Sequence, residues 1–307
     1  MWQEMITFLK SWFVFPGVGP VWMLIAVGLA VAFGAIWLVV HRPPLFKRPW
    51  LWAVAAVSAF LTLLAVVFVQ IPLQTWTYQA LTNFWSDQTL YDWLLLAAIP
   101  QILLSGLVQE GAKMVPIVAW WYSGRRLDPK LGLAIGAIAG AGFGIFEAFW
   151  VHGQVFASGW TWDVVQSGGY QAFLPFSERF FTVGAHTAMS ALAGYGLARG
   201  RGWQFYLIAA GMHSVLNYAV ALARNNTFTL TTNQVEIYIA VLAIIFTVVA
   251  LWLRWRLPEE EPPVVVGTVP DGYLSGPERQ AEDQPSGAGN PDAPVDAPAD
   301  HPDNLPR

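Results

Sequence analysis

The chain has 307 residues, of which 12% are charged and 55% are hydrophobic, and its mean hydropathy is +0.46. A soluble globular domain carries about twice that charged fraction, so the composition argues against a water-soluble fold and indicates repeated crossing of a bilayer. The absence of cysteine excludes disulfides, thiolate metal ligands and a cysteine nucleophile.

The net charge of −4 is the sum of two unlike segments. Residues 257–307 hold 11 acidic and two basic residues, whereas residues 1–256 hold 14 basic and nine acidic residues. The C-terminal segment is also rich in proline and poor in aromatic residues, so it cannot bury enough apolar surface to offset chain entropy. We therefore predict a transmembrane helical domain over 1–256 and a disordered, acidic, proline-rich tail over 257–307.

Apolar stretches of about 20 residues, long enough to cross a bilayer as a helix, recur along the body of the chain. The stretch 5–16 comes first, but it is too short to span and lacks a basic leader, so we interpret it as an interfacial segment rather than a cleaved signal peptide. Seven spans follow in chain order, at 19–40, 50–74, 93–122, 131–151, 177–198, 203–223 and 233–253. The expected fold class is an all-α, polytopic membrane helix bundle of about seven transmembrane helices.

The distribution of basic residues between the loops predicts the orientation of the chain. Lysine and arginine occur after the first, third, fifth and seventh predicted spans, whereas loops 75–92 and 152–176 contain neither. Because positively charged loops face the cytoplasm, we expect a multi-pass cell-membrane protein with its N-terminus outside and its tail in the cytoplasm.

Ionisable residues at bilayer depth are costly and are usually retained for function. In this chain the centres of the first, second and seventh predicted spans contain none, and the third to sixth spans, within residues 93–223, carry them. The spacings of three, seven and four residues place each pair on one helical face. The pairs are Glu110 with Lys113, Arg179 with His186, and His213 with Asn217, while Glu147 follows a glycine-rich run at 140–144.

These polar residues are predicted to converge on one interior site. A rise of about 1.5 Å per residue across a slab of roughly 30 Å puts Glu110, His186 and His213 in one layer near the midplane. Glu147 and Asn217 fall somewhat further toward the outside. A glutamate can act as general base on a water, and histidine and asparagine can donate hydrogen bonds to an oxyanion, so the set suits hydrolysis within the membrane.

A structural interpretation stays open for each residue taken alone. Glu110 and Lys113 can form a neutralised pair in a helix bundle, and a lone buried histidine is more often a packing residue than a catalyst. His41 and His152 are placed in loops and carry no functional signal. The combined pattern favours a site because the structural account must hold independently on four successive helices.

From Gln109 to Asn217 the sequence resembles the PrsW family of intramembrane proteases, in the superfamily of CAAX-processing and bacteriocin-processing membrane proteases. Four motifs carry the resemblance: Gln109-Glu110-x-x-Lys113; the run GAIAGAGFGIFE that ends at Glu147; Arg179 followed by His186 and Gly194-Tyr195-Gly196; and His213 with Asn217. Two positions depart from the family pattern. Gln109 stands where the family has a first glutamate, and Ala148 stands where asparagine is frequent.

The resemblance implies a glutamic-type peptidase that cleaves a membrane-anchored protein, such as an anti-sigma factor, near the outer face. It makes Glu110 the base and Glu147 its partner, with His186, His213 and Asn217 as positioning and oxyanion groups. Gln109, Lys113 and Arg179 support them. We expect no cofactor, since an HExxH pair is lacking; zinc on Glu147, His186 and His213 is the alternative. The expected partners are the lipid bilayer and a membrane-protein substrate, with no nucleic acid.

Three other function classes stay open from the residues alone. A proton-coupled transporter or channel also uses glutamate and histidine relays, although no internal repeat is visible. An electron-transfer protein would use His186 and His213 as axial ligands to a haem. A non-catalytic relative that binds a membrane partner would explain Gln109.

Overall fold

A computed structural model describes residues 2–225 and 230–257, and every regular element in them is helical. This confirms the all-α fold class. From residue 258 on, the predicted disordered tail lies outside the described residues. The α-helices are α1 (Trp2–Ser11), α2 (Pro20–His41), α3 (Leu51–Ala65), α4 (Ile71–Thr82), α5 (Asp87–Asp92), α6 (Leu94–Ala97), α7 (Ile99–Tyr122), α8 (Pro129–Ala157), α9 (Trp162–Gly168), α10 (Leu174–Ala198), α11 (Gly202–Asn217), α12 (Ala219–Arg224) and α13 (Thr232–Arg256).

Six helical segments in the described residues are long and apolar enough to cross a membrane, as expected for a multi-pass membrane protein. They are Pro20–His41, Leu51–Thr82, Leu94–Tyr122, Pro129–Ala157, Gly202–Arg224 and Thr232–Arg256. Each corresponds to one of the seven predicted spans. The remaining predicted span is α10, whose 25 residues are long enough but whose composition is less apolar. A seventh crossing by α10 therefore stays a prediction.

Helices α8 and α10 form the centre of the bundle and pack against each other at backbone contact. Residues 131–144 of α8 and 182–194 of α10 are buried without interruption, so over these residues each helix is covered on every face. A β-carbon at Gly136 or Gly140 would lie 2.1 Å from a carbonyl oxygen of α10. Small residues at these positions allow the close approach that is typical of helix pairs in membranes.

Two interruptions shape the helices that surround this centre. A π-helical turn at Val66–Gln70 joins α3 to α4, and such turns occur often at functional sites. The chain also leaves regular α-helix at Tyr218, between α11 and α12. Both interruptions lie beside the polar residues described below.

The structure corrects the placement of two histidines. His152 lies in α8, which continues to Ala157, and His41 is the last residue of α2; both side chains are buried. The interpretation that placed them in loops was wrong, because the predicted spans ended too early. His152 contacts the carbonyl oxygen of Ala26 at 3.3 Å through Nδ1, which ties α8 to α2.

The segment 5–16, predicted to be interfacial, comprises the end of α1 and the turn that follows. Trp12 is buried and stacks on Trp150 of α8, with ring centroids 4.7 Å apart. Its location at the membrane interface stays a prediction.

Candidate active site

Four helices bring the predicted polar residues into one connected cluster. Glu110 lies on α7, Glu147 on α8, His186 on α10 and His213 on α11. The rings of the two histidines lie 5.1 Å apart, between centroids. The predicted convergence of four polar helix faces therefore corresponds to the arrangement in the structure.

Glu110 is completely buried, and protein groups contact both of its carboxylate oxygens. Its Oε1 accepts a hydrogen bond from Nζ of Lys113 at 2.6 Å and lies 2.8 Å from Nδ1 of His213. Its Oε2 accepts a hydrogen bond from the hydroxyl of Ser190 at 3.1 Å. A buried carboxylate needs such partners, because an isolated charge in an apolar medium is very unfavourable.

Lys113 is also completely buried, and it links Glu110 to His186. Its Nζ lies 2.6 Å from the carboxylate and 2.8 Å from Nδ1 of His186. An ammonium group only donates hydrogen bonds, so beside it Nδ1 of His186 is the acceptor. The proton of the neutral ring is then on Nε2, which donates to Oε2 of Glu147 at 3.1 Å.

Glu147 is the more accessible of the two glutamates, with 18% of its side chain exposed against 0% for Glu110. Besides His186, its Oε2 accepts a hydrogen bond from Nη1 of Arg179 at 3.1 Å. Arg179 also pairs with its neighbour Glu178. The carboxylate of Glu147 thus lies between a cation and an imidazole and still faces open space.

Two cavities meet at Glu147 and Asn217. The first, of about 260 Å³, lies between α10, α11, α12 and α13, and His186 and Arg179 also line it. The second, of about 350 Å³, lies on the other side, where α1, the π turn, α4, α7 and α8 surround it. Glu110 lines neither of them. The accessible part of the cluster is therefore the part around Glu147.

Asn217 and Gln109 belong to an adjoining polar group rather than to the glutamate–histidine cluster itself. Nδ2 of Asn217 donates to Oγ of Ser105 at 3.0 Å, and Nε2 of Gln109 donates to the same atom at 3.3 Å and to Oε1 of Gln70 at 3.1 Å. Asn217 reaches the site because it ends α11, immediately before the break at Tyr218.

Sequence reasoning missed three polar residues that hydrogen-bond to the predicted ones: Gln70, Ser105 and Ser190. Each is neutral and lies in an otherwise apolar stretch, so no charge marked it. A helical spacing offered a signal for Ser105, since it precedes Gln109 by four residues and therefore lies on the same face of α7.

A metal ion fits part of the cluster by ligand type. Glu110, His186 and His213 each offer one ligand atom, and these three atoms lie within 4.8 Å of one another. Two imidazoles with one carboxylate form a known catalytic zinc set. The set contains Glu110 where the sequence alternative had Glu147. Lys113 lies against two of the three ligand atoms, so an ion there would require its ammonium group to move aside.

A family model described as PrsW family intramembrane metalloprotease matches residues 47–251, well over half of the chain and all of the polar cluster. No curated protein and no solved structure gives a significant match. The match confirms the resemblance first drawn from four short motifs. The word metalloprotease in the description agrees with the ligand set and leaves the expected absence of a cofactor unconfirmed.

Proposed function

Since this chain belongs to the PrsW family of intramembrane proteases, we propose that it hydrolyses a peptide bond of a membrane-anchored protein at Glu147 and His186. The observation that carries the proposal is the contact between these two side chains, 3.1 Å apart, at the place where two cavities meet. A carboxylate that faces a cavity and is held by an imidazole has the position a general base requires.

We assign the base to Glu147 rather than to Glu110, the residue favoured by the motif. Glu110 is fully buried, and Lys113, His213 and Ser190 contact its two oxygens, so a substrate water has no free oxygen to approach. Glu110 and Lys113 instead form a buried ion pair that fixes the tautomer of His186.

In the proposed reaction, Glu147 takes a proton from a water in the cavity while the water oxygen bonds to the scissile carbonyl carbon. The carbonyl oxygen becomes an oxyanion that Arg179 and the second amide hydrogen of Asn217 can stabilise. Glu147 then gives its proton to the amide nitrogen as the carbon–nitrogen bond breaks. The products are a new carboxylate and a new amine.

A divalent ion held by Glu110, His186 and His213 would supply a more nucleophilic water and polarise the carbonyl. Within the chain itself, His186 orients Glu147 through its Nε2 hydrogen whether Lys113 or another cation faces its Nδ1. The placement of the base therefore rests on protein contacts alone.

We propose the orientation with the N-terminus outside on the basis of the loop charges, and one structural feature supports it. Arg42, Lys130 and Arg254 line one cavity of about 320 Å³ at a single end of the bundle. The guanidinium of Arg254 donates to the carbonyl oxygen of Arg42 at 3.1 Å. This basic end is then the cytoplasmic face, and an anti-sigma factor cleaved near the opposite face is the substrate type we favour.

The test is cleavage of single-span reporter proteins by the purified protein in liposomes. Glu147→Gln should lower kcat by about 100-fold or more, because it removes a general base. Asp163→Asn, at a residue of α9 on the protein surface, is the matched control and should retain wild-type activity. If Glu147→Gln cleaves at the wild-type rate, the proposed base is wrong.

The same liposomes separate two of the other function classes. A proton-coupled transporter would move solute in response to a pH gradient without cutting any reporter. A non-catalytic relative would cut nothing as purified. Gln109→Glu restores the family's first carboxylate, so a gain of cleavage in that variant alone would identify a chain inactivated at Gln109.

A further inference from the structure

Neutral amide side chains form two facing rows in the cavity of about 350 Å³. Gln70 and Gln74 lie one helical turn apart, and opposite them Gln101, Ser105 and Gln109 follow one another at four-residue spacing along α7. We call these four glutamines and Ser105 together the amide row. We propose that the amide row binds the extended backbone of the substrate next to the scissile bond. The inference rests on the proposed function and deepens it.

Hydrogen bonds connect the row from one end to the other. Nε2 of Gln109 donates to Oε1 of Gln70 at 3.1 Å, and Nε2 of Gln70 donates to Oε1 of Gln74 at 3.4 Å. Gln74 and Gln101 then exchange bonds, each side-chain nitrogen donating to the main-chain carbonyl oxygen of the other residue, at 2.8 and 3.0 Å. The reciprocal pair closes one end of the row, and the other end opens toward Glu147 and Asn217.

At the inner end, one acceptor is unused. Oε1 of Gln109 has no hydrogen-bond partner among the described residues, although the residue is only 7% exposed. An unsatisfied buried polar atom is unfavourable, so the site gains free energy from a ligand that brings a donor. A substrate backbone N–H is such a donor. Gln109 lines the cavity, and its covered Oε1 would meet the donor once the side chain turns toward the cavity.

The π turn explains why the opposite wall is polar. It ends at Gln70, where the extra residue per turn changes which side chains of the span face α7. Gln70 thereby meets Gln109 across the cavity, although 39 residues separate them in sequence.

The chemistry of a transmembrane substrate requires such a surface. A helix must unwind around the bond to be cut, and its freed N–H and C=O groups have no water to bind in the hydrocarbon layer. Amide side chains both donate and accept, so they satisfy both kinds of group without adding a charge. From Gln101 to Gln109 the row is about 12 Å long, which matches three or four extended residues.

The experiment replaces single backbone amides of a synthetic single-span substrate by esters, which removes one N–H at a time. Four positions on each side of the scissile bond are scanned, leaving that bond intact. Cleavage by the wild-type protein is measured, and peptide binding is measured in parallel on Glu147→Gln. One ester position should lower kcat/KM and affinity roughly three- to tenfold, as expected for a lost buried hydrogen bond.

Variants then assign that hydrogen bond to its acceptor. In Gln109→Met the sensitive position should become insensitive, whereas Gln109→Glu keeps an acceptor oxygen and should keep the sensitivity. Thr62→Val is the matched control, because Thr62 is buried in the same span as Gln70 and bonds only within its own helix. The control should leave the ester profile unchanged.

Two results would overturn the subsite. One is that no ester among the eight positions changes kcat/KM or affinity. The amide row would then have only a structural role, joining α4 to α7. The other is a sensitive position whose response is the same in wild type and Gln109→Met. Neither result depends on the identity of the base. If the wild-type protein cleaves no peptide, but peptide binding is retained and still depends on one ester position, the proposed function is contradicted and the subsite stands.

Discussion

The contact between α8 and α10 makes Gly140 a sensitive position for activity. A β-carbon at Gly140 would lie 2.1 Å from the carbonyl oxygen of His186, where real contacts are almost never under 3.0 Å. The obstacle is backbone rather than a flexible side chain, so α10 itself must retreat by about 0.9 Å at His186 in Gly140→Ala.

Two consequences of that retreat can be given magnitudes. Overpacking a close helix contact costs about 1–3 kcal/mol, while alanine recovers about 1 kcal/mol of helix propensity over glycine. The net loss of stability is therefore modest. Activity should suffer more, because His186 moves away from Glu147 and Lys113. A misplacement of about 1 Å in a catalytic group costs on the order of 100-fold in rate.

The measurement pairs reporter cleavage with thermal unfolding of the purified protein in detergent. Gly211→Ala is the matched control, since a β-carbon at Gly211 meets nothing within 4 Å and the residue lies on α11 near His213. It should keep full activity and unfold at the same temperature or slightly higher. Wild-type activity in Gly140→Ala would refute the argument that the backbone contact positions His186.

Three further predictions concern the charges of the site. Lys113→Met leaves the carboxylate of Glu110 buried without its cation and should lower the free energy of unfolding by about 3–5 kcal/mol, measured by chemical denaturation. The same variant should retain more zinc than the wild type after dialysis, measured by elemental analysis, because the ammonium no longer occupies the ligand atoms; equal zinc in both would contradict this. Arg179→Gln should lower kcat at least tenfold with little change in KM, since it removes a cation beside Glu147, and an effect on KM alone would argue against that role.

The membrane spans and the polar helix faces were predictable because each depends on local sequence. Hydropathy located six segments that meet the length and composition requirement, and the three-residue spacing placed Glu110 and Lys113 on one helical face, where they contact each other. Segment ends were less predictable. The polar run at 152–154 ended the predicted span, but α8 continues through it to Ala157, so His152 was wrongly assigned to a loop.

The pairing between helices was not predictable, because it depends on how each helix is rotated about its axis in the bundle. The contacts of His186 with Lys113 and Glu147 join residues 73 and 39 positions apart, and spacing gives no access to them. The amide row was missed for another reason. Glutamine and serine carry no charge and are tolerated singly in an apolar span. Nothing in the sequence therefore marks them as functional before their contacts are known.

The burial of residues 182–194 of α10 on every face has a consequence for how the protein is made. A segment that enters the bilayer alone must be apolar enough to remain there, and α10 carries Glu178, Arg179 and His186. Its neighbours α2 and α8 are synthesised before it, whereas α11 and α13 are synthesised after it. If α10 is the seventh span that the sequence predicts, its stable insertion awaits helices not yet translated, and membrane integration and tertiary folding of this segment become a single late event.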